Sequence, residues 1–139
     1  MSLNTYLFFD DNCAEAFEFY RSVFGGEFSY HTTFADAPAE MGVPDGEKDR
    51  IMHVSLPVGD SVLMGSDNCS AFGPPKPVGG NFSISYTPAT REEADRAFAA
   101  LLDGGEVGMP MQDTFWGAYF GQGTDKFGVG WMINVDNAG

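Results

Sequence analysis

The tripeptide Gly-Gly-Glu occurs twice in this chain, at Gly25-Gly26-Glu27 after Phe24 and at Gly104-Gly105-Glu106 after Asp103. Each occurrence closes an apolar-striped helix and opens a strand, so the chain reads as two copies of one supersecondary unit. That duplication constrains the fold more than any single motif does. A βαβββ unit covers one face of its sheet with its own helix and leaves the other face in need of a partner. Two such units packed together predict a cleft between their sheets, and a cleft is where a site belongs.

In the first copy, Thr5 to Phe9 is an apolar strand stopped by Asp10-Asp11-Asn12, whose short polar side chains are N-cap candidates. A helix over Cys13 to Phe24 places Ala16, Phe19, Tyr20 and Val23 on one face. Gly25 supplies its left-handed end. Strands follow over 27–34, 50–57 and 61–66, the last two as a hairpin around Gly59-Asp60. Pro38, Pro44 and Gly46 make 36–48 a loop, which fits a lid or a passive connector. Gly73-Pro74-Pro75-Lys76-Pro77 and Gly79-Gly80 mark a linker. The second copy opens with a strand over 81–86. Thr90-Arg91-Glu92-Glu93 then forms a capping box, with Thr90 on the third amide and Glu93 reaching back. Its helix carries the stripe Ala94, Ala97, Phe98, Leu101 and Leu102 and ends at Gly104, and strands follow over 106–111, 115–121 and 129–135. The expected organisation is a first module over 1–67, a linker over 68–80 and a second module over 81–139, together one compact α+β domain.

Charge excludes several partners. The chain has 20 acids against 7 bases, a net charge of −13 spread along its length. Nucleic-acid binding requires clustered Lys and Arg to displace counterions, and anionic membranes require a basic face; neither cluster exists. Cys13 and Cys69 have no metal-type spacing and read as two free thiols. The N-terminus lacks a charged n-region leading into an apolar h-region. No apolar run approaches the roughly 18–20 residues that span a bilayer. The expectation is a cytoplasmic protein with neither nucleic acid nor membrane as partner.

The order βαβββ, linker, βαβββ resembles the vicinal-oxygen-chelate superfamily of glyoxalases, bleomycin-resistance proteins and dioxygenases. Asp113-Thr114-Phe115-Trp116-Gly117, Asp125-Lys126-Phe127-Gly128-Val129-Gly130-Trp131 and the run Ile51-Met52-His53-Val54 are similar to its PhnB-like branch. So is Val62-Leu63-Met64-Gly65-Ser66-Asp67. Members of that branch are often labelled methyltransferases of ubiquinone synthesis. No glycine-rich loop opening a helix supports such a cofactor site here; Gly121 and Gly123 read as a tight connection before Asp125.

The superfamily resemblance implies a metal held by four side chains, one each from the first and last strands of both copies. Aligned through Phe19-Tyr20 and the strand after the linker, those places fall on Thr5, Met64, Asn81 and Met132. A divalent ion needs imidazole or carboxylate there. A hydroxyl, an amide and two thioethers do not supply it, so the expectation is no metal and no cofactor. The resemblance further implies a homodimer.

Strand alternation selects the residues left to line the cleft. Met52, Val54 and Leu56 face the helix, which turns His53 and Ser55 to the cleft. Likewise Phe82, Ile84 and Tyr86 face the core, and Asn81, Ser83 and Ser85 face the cleft. Gln112, Asp113, Trp116 and Tyr119 form an amphipathic wall near the seventh strand, suited to stacking on a flat ligand. His53 is the candidate acid–base residue, since His31 lies on an exposed strand. No Gly-x-Ser-x-Gly nucleophile motif is present. The leading expectation is a metal-independent protein that binds a small molecule in the cleft, as bleomycin-resistance proteins sequester their ligand. The alternatives are a glyoxalase-like lyase or isomerase, with His53 and a relocated metal shared with Asp67, and a non-catalytic dimeric scaffold.

Overall fold

The computed structural model of the chain describes residues 2–75, 79 and 81–136. The chain falls into two compact units, Met1–Pro77 and Val78–Gly139. The first contains β1(Thr5–Phe9), α1(Cys13–Phe24), β2(Tyr30–Thr33), β3(Ile51–Val58) and β4(Ser61–Asp67). Its sheet has the order β1-β4-β3-β2. Strand β1 runs parallel to β4, and the other two pairings are antiparallel.

Helix α1 covers one face of this sheet and buries Cys13, Ala16, Phe17, Tyr20 and Val23. The stripe therefore includes Phe17 where the sequence pointed to Phe19, which stays half-buried at the stripe's margin. The 3.6-residue period is satisfied by the series starting at Cys13. Burying rings such as Phe17 and Tyr20 contributes roughly 1.5–3 kcal/mol each. Gly65 on β4 makes room for the Phe17 ring: a Cβ there would lie 2.6 Å from Phe17 Cε1.

The start of α1 is not capped by its own neighbours. Asn12 occupies the N-cap position without a side-chain bond. The amide of Cys13 instead donates to Asp67 Oδ1 at 2.9 Å, and the amide of Ile51 donates to Oδ2 at 2.8 Å. One buried carboxylate from the end of β4 thus ties the helix start to β3. Burial pushes its pKa up, against the downward pull of the two amides.

Between β2 and β3 the expected loop folds into three short 3-10 turns, Phe34–Asp36, Ala39–Met41 and Asp45–Glu47. Arg50 holds them to the sheet. Its Nη1 donates to the Asn68 carbonyl at 3.1 Å and lies 3.2 Å from Glu47 Oε1, while Nε lies 3.5 Å from Asp11 Oδ1. Glu47 also accepts from the Ser70 amide and hydroxyl, and Phe72 packs its ring 6.1 Å from that of Phe34. Residues 68–73 therefore belong to the first unit, because their contacts run back into it. Of the linker expected over 68–80, residues 76–78 and 80 lie outside those described.

The second unit repeats the order as β5(Ile84–Tyr86), α2(Arg91–Leu101), β6(Glu106–Asp113), β7(Ala118–Thr124) and β8(Gly130–Asp136). Its sheet order β5-β8-β7-β6 matches the first. Thr90 caps α2 by accepting from the Glu93 amide at 3.1 Å. The reciprocal half of the capping box is replaced: the Glu93 carboxylate takes two bonds from Arg96 and one from Tyr86 Oη. Gly121 and Gly123 lie inside β7, where the sequence suggested a turn. A Cβ at Gly121 would meet the Phe98 ring at 2.8 Å, and one at Gly123 would meet Leu102 Cδ1 at 2.6 Å. They are sites of helix–sheet approach.

The turn into β8 is built on Asp125, within the Asp125-Lys126-Phe127-Gly128 segment that the sequence reads as a turn. Its carboxylate accepts from the amides of Phe127 and Val129 and from the Trp131 indole at 2.8, 3.1 and 2.8 Å. Gly128, at φ +89°, lets the chain reverse there.

Candidate functional site

Strand parity in the first unit separates two faces. Leu7, Phe9, Val54, Leu56, Leu63 and Gly65 share the face under α1, as their burial shows. The opposite, helix-free face is read row by row from the register. One row runs Tyr6, Met64, Ser55, Tyr30 across all four strands. In the neighbouring row Phe8 pairs with Ser66, and His53 pairs with Thr32.

His53 sits in the middle of this face as the sequence indicated, and both of its ring nitrogens are engaged. Nδ1 lies 3.2 Å from Tyr6 Oη, and Nε2 lies 2.9 Å from Ser55 Oγ. Both partners are hydroxyls, able to donate or accept, so either imidazole tautomer is accommodated. The rings of Tyr6 and Tyr30 stand 5.6 and 5.4 Å from the imidazole, and Phe8 lies 5.1 Å from Tyr6. These aromatics are open: Tyr6 is 36% exposed, Phe8 48% and Tyr30 55%. Ser55, Ser66 and Thr32 are buried beneath them. The face is an aromatic rim over a hydroxylated floor.

Sequence reasoning found His53 and Ser55 but missed Tyr6, Phe8 and Tyr30. Every residue of β1 from Tyr6 onward is apolar or aromatic, so its alternation gives no side. Pairing with β4 decides it, and places Tyr6 and not Thr5 on the open face beside Met64. Thr5 pairs with Leu63 and shares the helix-covered side. In the second unit the corresponding pair is Ser85 with Met132. Asn81 precedes β5 in an exposed segment and pairs with no strand. Of the four residues named from the superfamily resemblance, Met64 thus lies on the open face of the first sheet and Met132 pairs with Ser85 in the second, while Thr5 lies on the helix-covered side and Asn81 outside β5. A hydroxyl, an amide and two thioethers do not supply the imidazole or carboxylate that a divalent ion needs. Among the described residues no group of three or more His, Cys, Asp or Glu side chains is arranged to hold a metal.

The remaining candidates divide. Strand β5 starts at Ile84, so Ser83 and Asn81 fall short of it and Ser85 alone keeps the expected outward place. Phe82, expected in the core, is 54% exposed for the same reason. Asp113 and Tyr119 do not form an open wall. Asp113 accepts from Arg91 Nη2, whose guanidinium stacks 4.5 Å from the Tyr119 ring, and Tyr119 Oη donates to Asp95 at 2.5 Å. Both residues are committed to α2. Gln112 is exposed and donates to the Pro110 carbonyl at 3.3 Å. Trp116 lies at the β6–β7 hairpin tip, edge-on to Phe120 at 5.7 Å and beside the fully exposed Phe115. His53 and Asp67 lie on opposite faces of one sheet, so they cannot share an ion.

A separate cavity of about 340 Å³ opens in the first unit beside Arg50, lined also by Asp10, Glu47, Asn68 and Ser70. Its charged groups pair with one another: Arg50 Nη1 lies 3.2 Å from Glu47 Oε1 and 3.9 Å from Asp10 Oδ1.

Comparison with known proteins agrees with this architecture. The profile of the Glyoxalase/Bleomycin resistance protein/Dioxygenase superfamily matches residues 2–133. Protein YjdN of Escherichia coli strain K12 is 34% identical, over 97% of this chain and 95% of its own length. The crystal structure of protein PA1353 from Pseudomonas aeruginosa superposes with a TM-score of 0.83 at 43% identity, covering 98% of both chains. A PhnB protein from Bacillus cereus superposes at 0.73 with 25% identity, over 97% and 99% of the two chains. No helix among the described residues is long and apolar enough to cross a membrane. With its duplicated βαβββ units and this match across nearly its whole length, the chain belongs to the glyoxalase/bleomycin resistance/dioxygenase superfamily.

Proposed function

We propose that this chain is a metal-independent small-molecule-binding protein whose ligand rests on the helix-free face of the first sheet. One observation carries the reading: Tyr6, Phe8 and Tyr30 stay exposed around a histidine whose nitrogens already have polar partners. A sheet face that only met water would carry charged side chains, and contiguous exposed rings mark a recognition surface. Hydroxyls of Ser55 and Tyr6 supply the few polar contacts that orient a guest.

A thermal-shift screen of a small-molecule library tests this. Hits are expected to raise the melting midpoint of the wild type and to lose that effect in Tyr30→Ala and His53→Ala. Hits indifferent to every substitution on this face would refute the assignment. Zn, Ni, Mn and Fe(II) salts are expected to leave the midpoint unchanged. A metal-dependent rise abolished by His53→Ala would overturn metal independence.

The bond trio Tyr6–His53–Ser55 favours a second reading, a glyoxalase-like lyase or isomerase with His53 as acid–base. An imidazole between two exchangeable hydroxyls can pass a proton if a substrate displaces one of them. Under it, a carbonyl-containing hit would exchange its α-hydrogen with D2O in the presence of wild type and not of His53→Ala.

The reading includes a homodimer, to which the exposed Phe115 and Trp116 of the hairpin tip offer apolar area, and a reducing cytoplasm in which Cys13 and Cys69 remain thiols. Sedimentation velocity at micromolar concentration is expected to give twice the chain mass; a single-chain mass would remove the dimer.

A further inference from the structure

We infer that Tyr6 is the specificity-determining residue of the first sheet's open face. Its hydroxyl is turned outward as a donor by Ser55 and His53, and selects a flat, uncharged guest that carries a carbonyl oxygen. The guest rests on the receptor reading above; the direction of the hydrogen bonds does not.

Ser55 sets that direction. Its side chain is buried, and among the described residues its hydroxyl proton has one acceptor within reach, His53 Nε2 at 2.9 Å. If Nε2 carried the hydrogen, it would donate to Ser55 Oγ and leave the buried hydroxyl proton with no acceptor, the costly way to lose a hydrogen bond. Ser55 therefore donates and Nε2 accepts. A neutral imidazole with a bare Nε2 carries its hydrogen on Nδ1. Nδ1 then donates to Tyr6 Oη at 3.2 Å. The phenol's own O–H is left without an acceptor among the described residues, on a ring that is 36% exposed. Taken alone the imidazole accommodates either tautomer; the buried serine chooses between them.

The rings of Tyr6 and Tyr30 stand 5.6 and 5.4 Å from the imidazole, and both are exposed. Two open π-faces beside one outward donor suit a planar body with an acceptor at its edge. The chain's net charge of −13 opposes an anionic acceptor, and a carbonyl supplies the oxygen without the charge.

The chain has two histidines, so a His31→Gln background leaves His53 alone. Long-range proton–nitrogen correlation, at a pH where the ring is neutral, reads which nitrogen is protonated. Nδ1–H is expected, and Ser55→Ala is expected to raise the share of Nε2–H. An Nε2–H imidazole in the His31→Gln background overturns the outward donor, and an Nδ1–H imidazole unmoved by Ser55→Ala removes Ser55 as its cause.

Acetophenone and α-methylstyrene, in which a methylene replaces the carbonyl oxygen, isolate the acceptor at nearly constant shape. Dissociation constants come from shift titrations of the tyrosine ring protons. Tyr6→Phe keeps the ring and is expected to weaken acetophenone about fivefold, leaving α-methylstyrene unchanged. Equal effects on both compounds, or no binding of acetophenone, overturn the carbonyl assignment; screening hits that depend on Tyr30 and His53 would still uphold the receptor reading. If no compound responds to substitutions on this face, both fall.

Discussion

At the scale of single residues, what distinguishes His53 from the buried acids is how completely each is consumed by the fold. Asp125 spends both oxygens on two amides and an indole. Asp67 likewise joins a helix start to a strand. Removing either acceptor would orphan buried donors, the costly direction of hydrogen-bond loss. His53 also has two partners, but they are hydroxyls at an open surface that can turn toward a ligand. Cys13 belongs with the acids. Its thiol is pushed well above the ordinary range by burial, with Asp67 acting in the same direction, and Cys69 is buried as well. A thiolate-selective reagent at neutral pH is therefore expected to label neither cysteine in the native protein and both in denaturant; rapid native labelling would contradict the burial. Gly65 gives the sharpest packing prediction. Gly65→Ala forces a methyl against the Phe17 ring between helix and sheet, and is expected to cost about 1–3 kcal/mol in urea-monitored stability.

At the scale of elements, strand β3 was legible and β1 was not. Met52, Val54 and Leu56 alternate with His53 and Ser55, so the sequence alone sides them correctly. In β1 the polar–apolar contrast is missing, and only the parallel pairing with β4 puts Tyr6 and Phe8 in the open. The neighbours of Tyr119 were not legible for a related reason: its strand was anticipated, but not that Arg91 and Asp95 of α2 would meet its ring and hydroxyl. The segment between β2 and β3 behaves as an anchored element, not a free flap. Glu47 links its last turn to the Ser70 turn, and the Ser70 bonds hold the Glu47 carboxyl below the usual carboxylate range. A lowered folded-state pKa means this contribution is present above the ordinary glutamate value and is lost as pH falls through the folded value. Stability of the wild type is accordingly expected to drop more between pH 7 and pH 3 than that of Glu47→Gln. Parallel pH dependences in urea titrations would show that the link contributes nothing.

At the scale of the whole molecule, the excess of acids over bases sets an unfavourable self-repulsion. Raising sodium chloride from about 10 mM, where the screening length is roughly 30 Å, to 1 M, where it is roughly 3 Å, is expected to raise the melting midpoint. A midpoint that falls with salt would mean that attractive ion pairs such as Arg91–Asp113 outweigh the repulsion.

The repeated Gly-Gly-Glu and the paired helix stripes were enough to establish two βαβββ units, because helix and strand periods and glycine ends are local properties that each segment carries by itself. Which side chains meet on one face is not local. It depends on strand order and register, and a shift of one residue moves a side chain to the other side of the sheet. That is why Thr5 gave way to Tyr6, why Asn81 fell outside β5, and why an aromatic surface invisible in the linear string surrounds His53 in the folded chain.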